Sequence, residues 1–199
     1  MKKIGIYGGT FSPPHLGHVE AARAFLRQLS LDELLIIPTA TPPHKEYEEE
    51  ASADERIEMC KLAFSGIERT TVSDMEIRRG GKSYTYLTLE ELYSEDTELY
   101  FLCGTDMILT FDLWRNFKRI FELATVCFAR RERDAASTEA ILQKVREYRE
   151  LYGAKIIEIN HRVIEVSSTD IRRLIESGQE LSMLPLGVAD FIRERGLYK

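Results

Sequence analysis

Long apolar runs are missing from this sequence. The longest, around Leu34 to Ile37, spans a handful of residues, far short of the roughly 20 that a membrane-spanning helix needs. No apolar leader precedes Lys2, Lys3 and Ile4, so nothing points to export, and the expected compartment is the cytoplasm. Basic residues are in deficit: 27 Lys and Arg against 33 Asp and Glu leave a formal charge of −6. Such a chain has no global positive field for a nucleic-acid backbone. An anionic ligand must instead be gripped by local devices: helix N-termini, glycine turns and placed basic residues. Cysteines number only three, Cys60, Cys103 and Cys127, and none forms a CxxC pair. Cys103 and Cys127 lie in apolar, strand-like runs, which reads as small buried hydrophobes in a reducing compartment. The GxGxxG fingerprint is absent as well, which argues against a hydride-transfer enzyme.

What is present is a core and a regular alternation. The chain has 199 residues, 44% hydrophobic and 30% charged. Against a prior of roughly 150 residues per domain this reads as one domain over 1–199, with a helical C-terminal part over about 167–199. Strands are expected at Lys3 to Tyr7, Glu33 to Ile37, Thr70 to Ile77, Leu99 to Cys103, Ala124 to Ala129 and Lys155 to Ile159. Between them run helical patterns: one from Leu16 through Val19, Ala22, Leu26 and Leu29, and one opened by Ser52 with Glu55 three residues on, a capping-box pair. Further helices are expected over Thr85 to Tyr93, at Ile141, Val145, Tyr148 and Tyr152, and over Thr169 to Ser177 and Val188 to Arg195. Strand-helix alternation implies an α/β fold, a doubly wound parallel sheet with helices on both faces in three layers. Ligands in such folds lie beyond the carboxyl ends of the strands, where strand order reverses. That puts Gly8-Gly9, Pro38 to Lys45 and Gly104 to Asp106 on one rim.

The first strand runs into Gly8-Gly9-Thr10-Phe11-Ser12-Pro13-Pro14-His15-Leu16-Gly17-His18. Two glycines after a buried strand allow a tight turn with N–H groups facing a ligand. Pro13 and Pro14 set the chain to enter a helix, whose positive end attracts anions. His15 and His18 are three apart and share one face of the first turn. Gly17, lacking a side chain, leaves room for a bulky ligand. Imidazoles, N–H groups and a dipole then converge as a phosphate gaining charge in a transition state requires. A glycine pair is equally an ordinary turn, and an HxxH pair equally a solvated helix face. A zinc site with His44 as third ligand lacks a Cys or acidic residue at metal spacing, so no protein-held metal is expected.

The segment GGTFSPPHLGH resembles the GGTFDPxHxGH signature of the nucleotidyltransferase superfamily, whose HxGH motif grips a nucleoside triphosphate. Val166-Ser167-Ser168-Thr169-Asp170-Ile171-Arg172 is similar to its ISSTxIR motif: a helix N-terminus with hydroxyl caps and a forked guanidinium one turn in. Other stretches resemble the nicotinate mononucleotide adenylyltransferases within it: Pro42-Pro43-His44-Lys45, Ser83-Tyr84-Thr85 with Thr88-Leu89, Gly104-Thr105-Asp106 followed by Trp114, and Leu186 to Tyr198. Together they run in order over essentially the whole chain. The sequence departs from the pattern at Ser12 and Leu87, where Asp is usual, at Thr105, where a smaller residue is usual, and at Ala129 to Arg133, which lacks a Pro-Gly pair. Leu87 bears on the acceptor pocket rather than on the reaction.

The resemblance implies a Rossmann-like fold and adenylyl transfer from ATP to nicotinate mononucleotide, with Mg²⁺ carried in by ATP. His15, His18 and Arg172 are then the catalytic candidates. Gly8, Gly9, Thr10, Phe11, Gly104, Asp106, Ser168 and Thr169 join them around ATP. Lys45, Tyr84, Thr85 and Trp114 take the acceptor, with Trp114 stacking on the nicotinate ring; the plainer alternative for Trp114 is core filler. The partners expected are the two small molecules, with no nucleic acid and no membrane. Three rival readings are a phosphopantetheine or nicotinamide mononucleotide acceptor, a class I aminoacyl-tRNA synthetase suggested by HLGH, and a non-catalytic nucleotide-binding module. The missing KMSKS-like loop and the charge of −6 stand against the synthetase; both histidines and Arg172 stand against the module.

Overall fold

The computed structural model describes residues 1–41, 51–130, 135–179 and 181–199. Pro42, Pro43, His44 and Lys45, and the residues 131–133 that follow the fifth strand, lie outside the described residues. Six strands form one sheet: β1 (Lys2–Gly9), β2 (Glu33–Pro38), β3 (Thr70–Val72), β4 (Thr97–Gly104), β5 (Ala124–Ala129) and β6 (Ile156–Ile159). Their order is β3-β2-β1-β4-β5-β6 and every neighbouring pair is parallel. The helices are α1 (Leu16–Leu29), α2 (Ala53–Phe64), α3 (Met75–Arg79), α4 (Thr85–Leu92), α5 (Thr105–Leu109), α6 (Phe117–Leu123), α7 (Ala135–Tyr152), α8 (Ser168–Glu176) and α9 (Leu186–Arg195).

The period of two along each strand divides the core into two halves. Ile4, Ile6, Leu35, Ile37, Phe101 and Val126 face α3 to α7, where Leu89, Phe111, Ile120 and Tyr148 complete the packing. Leu34, Ile36, Leu102 and Cys127 face the other side, covered by α1, α2, α8 and α9 through Phe25, Met59, Ile171 and Val188. The expected three-layer, doubly wound α/β sheet is therefore the observed one. All three cysteines are buried and none forms a disulfide, and burial pushes the Cys60 and Cys127 thiols well above their ordinary range. Among the described residues no helix is long and apolar enough to cross a membrane.

One expectation is corrected, and one stretch is filled in. The strand expected over Thr70 to Ile77 ends at Val72, and residues from Met75 form α3. Asp74 pairs with Arg78 at 2.9 Å, a helical i,i+4 contact, and the Arg78 N–H donates to the Asp74 carbonyl at 2.9 Å. Residues 105–123 hold α5, a single 3-10 turn at Phe111–Leu113 and α6, where only an unassigned connection follows from the pattern. None of these pieces is long enough to show a helical period.

Helix starts follow local chemistry. At α2 the Ser52 hydroxyl accepts from the Glu55 N–H at 3.3 Å, and the Glu55 carboxylate accepts from the Ser52 N–H at 2.8 Å. The Ser52 hydroxyl and N–H hold the Glu55 carboxyl below its ordinary value of 4.5. A lowered carboxyl contributes stability above its unfolded value and loses it as pH falls through the folded one. Ser52→Ala is thus expected to cost about 1 kcal/mol in urea unfolding at neutral pH. That loss should shrink as pH falls below 4.5; a loss constant through acid would contradict the reciprocal cap.

Candidate active site

Strand order reverses between β1 and β4, so connections leave their carboxyl ends toward opposite faces and open a crevice. Gly9 and Gly104 end those strands on the same rim. Two adjoining clefts lie there. One, of about 220 Å³, is lined by Tyr7 to Ser12, His15, His18, Cys103, Gly104, Asp106, Met107, Ser167 to Thr169 and Arg172. The other, of about 310 Å³, is lined by Thr39, Glu76, Ser83 to Thr85, Thr88, Phe101, Thr110, Trp114 and Arg115 among others. Gly8, Gly9, Thr10, Asp106 and Met107 line both. All expected ATP-side residues thus border the first cleft, and Tyr84, Thr85 and Trp114 border the second. Lys45 lies outside the described residues.

The turn after β1 differs from expectation in its mechanism. Gly8 and Gly9 remain extended within the strand, and the left-handed residue is Phe11, with φ 51°. Gly9 leaves room for a neighbour: a Cβ there would crowd the Phe11 ring at 3.1 Å. The Ser12–Pro13 peptide is cis. Gly17 likewise makes room within the protein, because a Cβ would press on the His15 ring at 3.1 Å and the Ile164 carbonyl at 3.4 Å. The space attributed to a ligand is occupied by the histidine itself.

His15 precedes α1 and His18 sits in its first turn; their rings stack with centroids 3.7 Å apart. The His15 N–H donates to His18 Nδ1 at 3.2 Å, so a neutral His18 carries its proton on Nε2. Phe11 packs edge-on to His18 at 5.1 Å. The helix end presents fewer N–H groups than expected, since Leu16 donates to the Met183 carbonyl at 2.9 Å and His18 turns back to the His15 carbonyl.

The second motif braces the first. Ser167 caps α8, as Asp170 N–H donates to its hydroxyl at 3.1 Å. The next residues reach across the fold: Ser168 Oγ donates to the Pro13 carbonyl at 2.9 Å and Arg172 Nη1 to the Ser12 carbonyl at 2.7 Å. Arg172 Nη2 also meets Thr169 Oγ1 at 3.3 Å. Ser12, in place of the usual Asp, pairs its hydroxyl with Tyr198 at 3.0 Å. Thr105 opens α5, with Asp106 exposed beside it.

In the second cleft Trp114 both packs on the core and borders the cavity. It stacks on the buried Phe111 ring at 4.8 Å and 14°, yet it is half-buried and lines the cavity. Tyr84 carries the Arg115 guanidinium 5.0 Å from its ring centre. Leu87, half-buried on α4, is not among the residues lining either cleft. Among the described residues no three His, Cys, Asp or Glu side chains gather as a metal site.

Several residues at the site escape the sequence reading. Arg56 is fully buried, and its Nη1 donates to the Thr10 carbonyl at 3.0 Å. Its signal was present: Arg56, Cys60 and Phe64 recur at a spacing of four, placing a charge on the apolar face of α2. Arg115 adjoins Trp114 in sequence. Glu76 and Thr39 carry no recognisable local signal.

A family model described as "Cytidylyltransferase-like" matches residues 6–174. A Desulfatibacillum aliphaticivorans protein named "Probable nicotinate-nucleotide adenylyltransferase" is 37% identical over 98% of this chain and 99% of its own. One of the same name from Clostridium botulinum is 35% identical over 100% of this chain and 99% of its own. Among solved structures, "Plasmodium falciparum nicotinic acid mononucleotide adenylyltransferase complexed with NaAD" superposes with a TM-score of 0.77, covering 100% of this chain and 98% of that one at 18% identity, a likeness of fold. The chain belongs to the cytidylyltransferase-like family, among the relatives that carry the name nicotinate-nucleotide adenylyltransferase.

Proposed function

We infer that this protein transfers the adenylyl group of ATP to nicotinate mononucleotide, giving nicotinate adenine dinucleotide and pyrophosphate, a step of NAD biosynthesis. The observation that carries this reading is the wall common to both clefts, Gly8 to Thr10 with Asp106 and Met107. Two substrates seated on either side of one wall can bring an acceptor phosphate in line with the α-phosphorus of ATP.

The acceptor's 5′-phosphate is an anion at neutral pH, so it needs no general base. Its oxygen forms the new bond to the α-phosphorus, the bond from that phosphorus to the bridging β-oxygen breaks, and pyrophosphate leaves with the bonding pair. Catalysis reduces to positioning and charge neutralisation. His15 and His18 hold the triphosphate and the charge growing at the α-phosphate. Backbone from Gly8 to Phe11 lines the cradle, with Gly104 facing it across the crevice. Ser168, Thr169 and Arg172 meet the outer phosphates, and Asp106 accepts from a ribose hydroxyl. Mg²⁺ enters with ATP and supplies further neutralisation of the phosphates. The lining suits such a guest: two imidazoles and a guanidinium face the phosphates, and Asp106 is the one carboxylate shared by both clefts among the described residues. Tyr84, Thr85 and Trp114 form the nicotinate site, with Lys45 as a further cation for the acceptor. The reading places the reaction in the cytoplasm.

Acceptor choice follows from one group. Nicotinate and nicotinamide differ by a carboxylate against an amide of nearly equal size, so shape does not separate them. N–H groups at the start of α4 and the Arg115 guanidinium at the cleft both favour the anion. An amide there sets N–H against N–H and leaves buried donors unmatched, at roughly 1–3 kcal/mol each.

His18→Ala is expected to lower kcat by about 10²–10³ without unfolding the chain, the usual cost of removing a donor aimed at transition-state charge. Activity within a few-fold of wild type would remove His18 from the mechanism. Rates with the two mononucleotides side by side should favour nicotinate at least ~10-fold in kcat/KM, and Trp114→Ala should weaken both. Equal use of both by the wild type would refute the nicotinate assignment while leaving adenylyl transfer in place.

A further inference from the structure

Resting on the acceptor reading above, one buried group in the second cleft has a specific task still to be assigned. Glu76, on α3, is only 6% exposed, and both it and Thr88 line the cavity that also holds Trp114. Its Oε1 accepts the Thr88 hydroxyl at 2.5 Å. Arg79 donates to Thr88 Oγ1 at 2.9 Å and stands 3.8 Å from the same Glu76 oxygen. The second oxygen, Oε2, is buried and accepts no hydrogen bond among the described residues. Thr88 and Arg79 therefore fix the carboxylate by one oxygen and leave the other over. A carboxylate oxygen can only accept, and a buried acceptor with no donor is costly in a low-dielectric site. A ligand that brings a hydroxyl or N–H to this oxygen relieves that cost.

The donor follows by elimination. At neutral pH nicotinate mononucleotide carries a ring carboxylate and a phosphate, which accept, and a quaternary ring nitrogen, which bears no hydrogen. Its two ribose hydroxyls are its donors. We propose that Glu76 Oε2 accepts a hydrogen bond from a ribose hydroxyl of the acceptor, making Glu76 a specificity-determining residue for ribonucleotide acceptors. The same oxygen disfavours an acceptor seated with its carboxylate or phosphate at this position, because two anions would then meet away from water. Glu76 thus selects both the sugar and the direction in which the mononucleotide enters.

Initial rates with nicotinate mononucleotide and its 2′-deoxy and 3′-deoxy analogues test this, using wild type and Glu76→Gln. A charge-assisted hydrogen bond lost from one analogue should lower wild-type kcat/KM at least ~10-fold. Glu76→Gln should lose a similar factor on the native acceptor, keep its KM for ATP within about twofold, and use native and deoxy acceptors alike. Equal use of all three acceptors by the wild type overturns the proposal, whether or not the variant folds. So does a Glu76→Gln enzyme that prefers the native acceptor as strongly as the wild type. Neither result touches the acceptor reading, which is tested separately by whether the wild type uses nicotinate mononucleotide and prefers it to nicotinamide mononucleotide.

Discussion

Everything at the site depends on the reversal of strand order between β1 and β4. Tyr7 pairs with Leu102 in parallel register, so Gly9 and Gly104 end side by side while their continuations depart to opposite faces. The gap that this leaves cannot be closed by sheet hydrogen bonds, and the backbone groups facing it need partners from elsewhere. They receive them from distant parts of the chain. Arg56 on α2 takes the Thr10 carbonyl; Arg172 and Ser168 on α8 take the Ser12 and Pro13 carbonyls. Three side chains from two helices hold one loop, whose first residue, Thr10, lines both clefts. A motif that lies 160 residues from the loop in the chain is therefore part of the same structural unit.

The electrostatics run against the charge of the molecule as a whole. The chain carries −6, yet the first cleft gathers His15, His18 and Arg172 against a single carboxylate, Asp106, among its described lining residues. The second has Arg115 at its side and Glu76 in its buried part. On the proposed reading, anion binding is the property of a few placed groups, so a net negative charge is no bar to a nucleotide substrate.

What could be read in the sequence was what is local or periodic. Alternation placed five of the six strands closely, and the Ser52–Glu55 and Ser167–Asp170 pairs marked helix starts that the hydrogen bonds bear out. The spacing of His15 and His18 put them on one face of the first turn, where their rings are found stacked. The failures share a cause. From Met75 the chain is helical, with Met75 in the core and Glu76 in the cleft, and those tertiary neighbours are not legible in the local pattern. The first turn bends at Phe11 rather than at the glycines, and the Phe11 ring lies close over Gly9. Arg56 was visible on an apolar helix face, but its partner, a carbonyl 46 residues away, was not. The oxygen that Glu76 leaves over exists only once α3 and α4 are packed.

The central claim is a direct displacement at the α-phosphorus between two substrates seated on one wall, with no enzyme-bound adenylate. Its stereochemical course tests this most directly. With ATP made chiral at the α-phosphorus by a single sulfur substitution, one in-line attack inverts the configuration at phosphorus in the dinucleotide product. The account predicts inversion. Retention, which requires two successive displacements and hence a covalent intermediate on the protein, would contradict it.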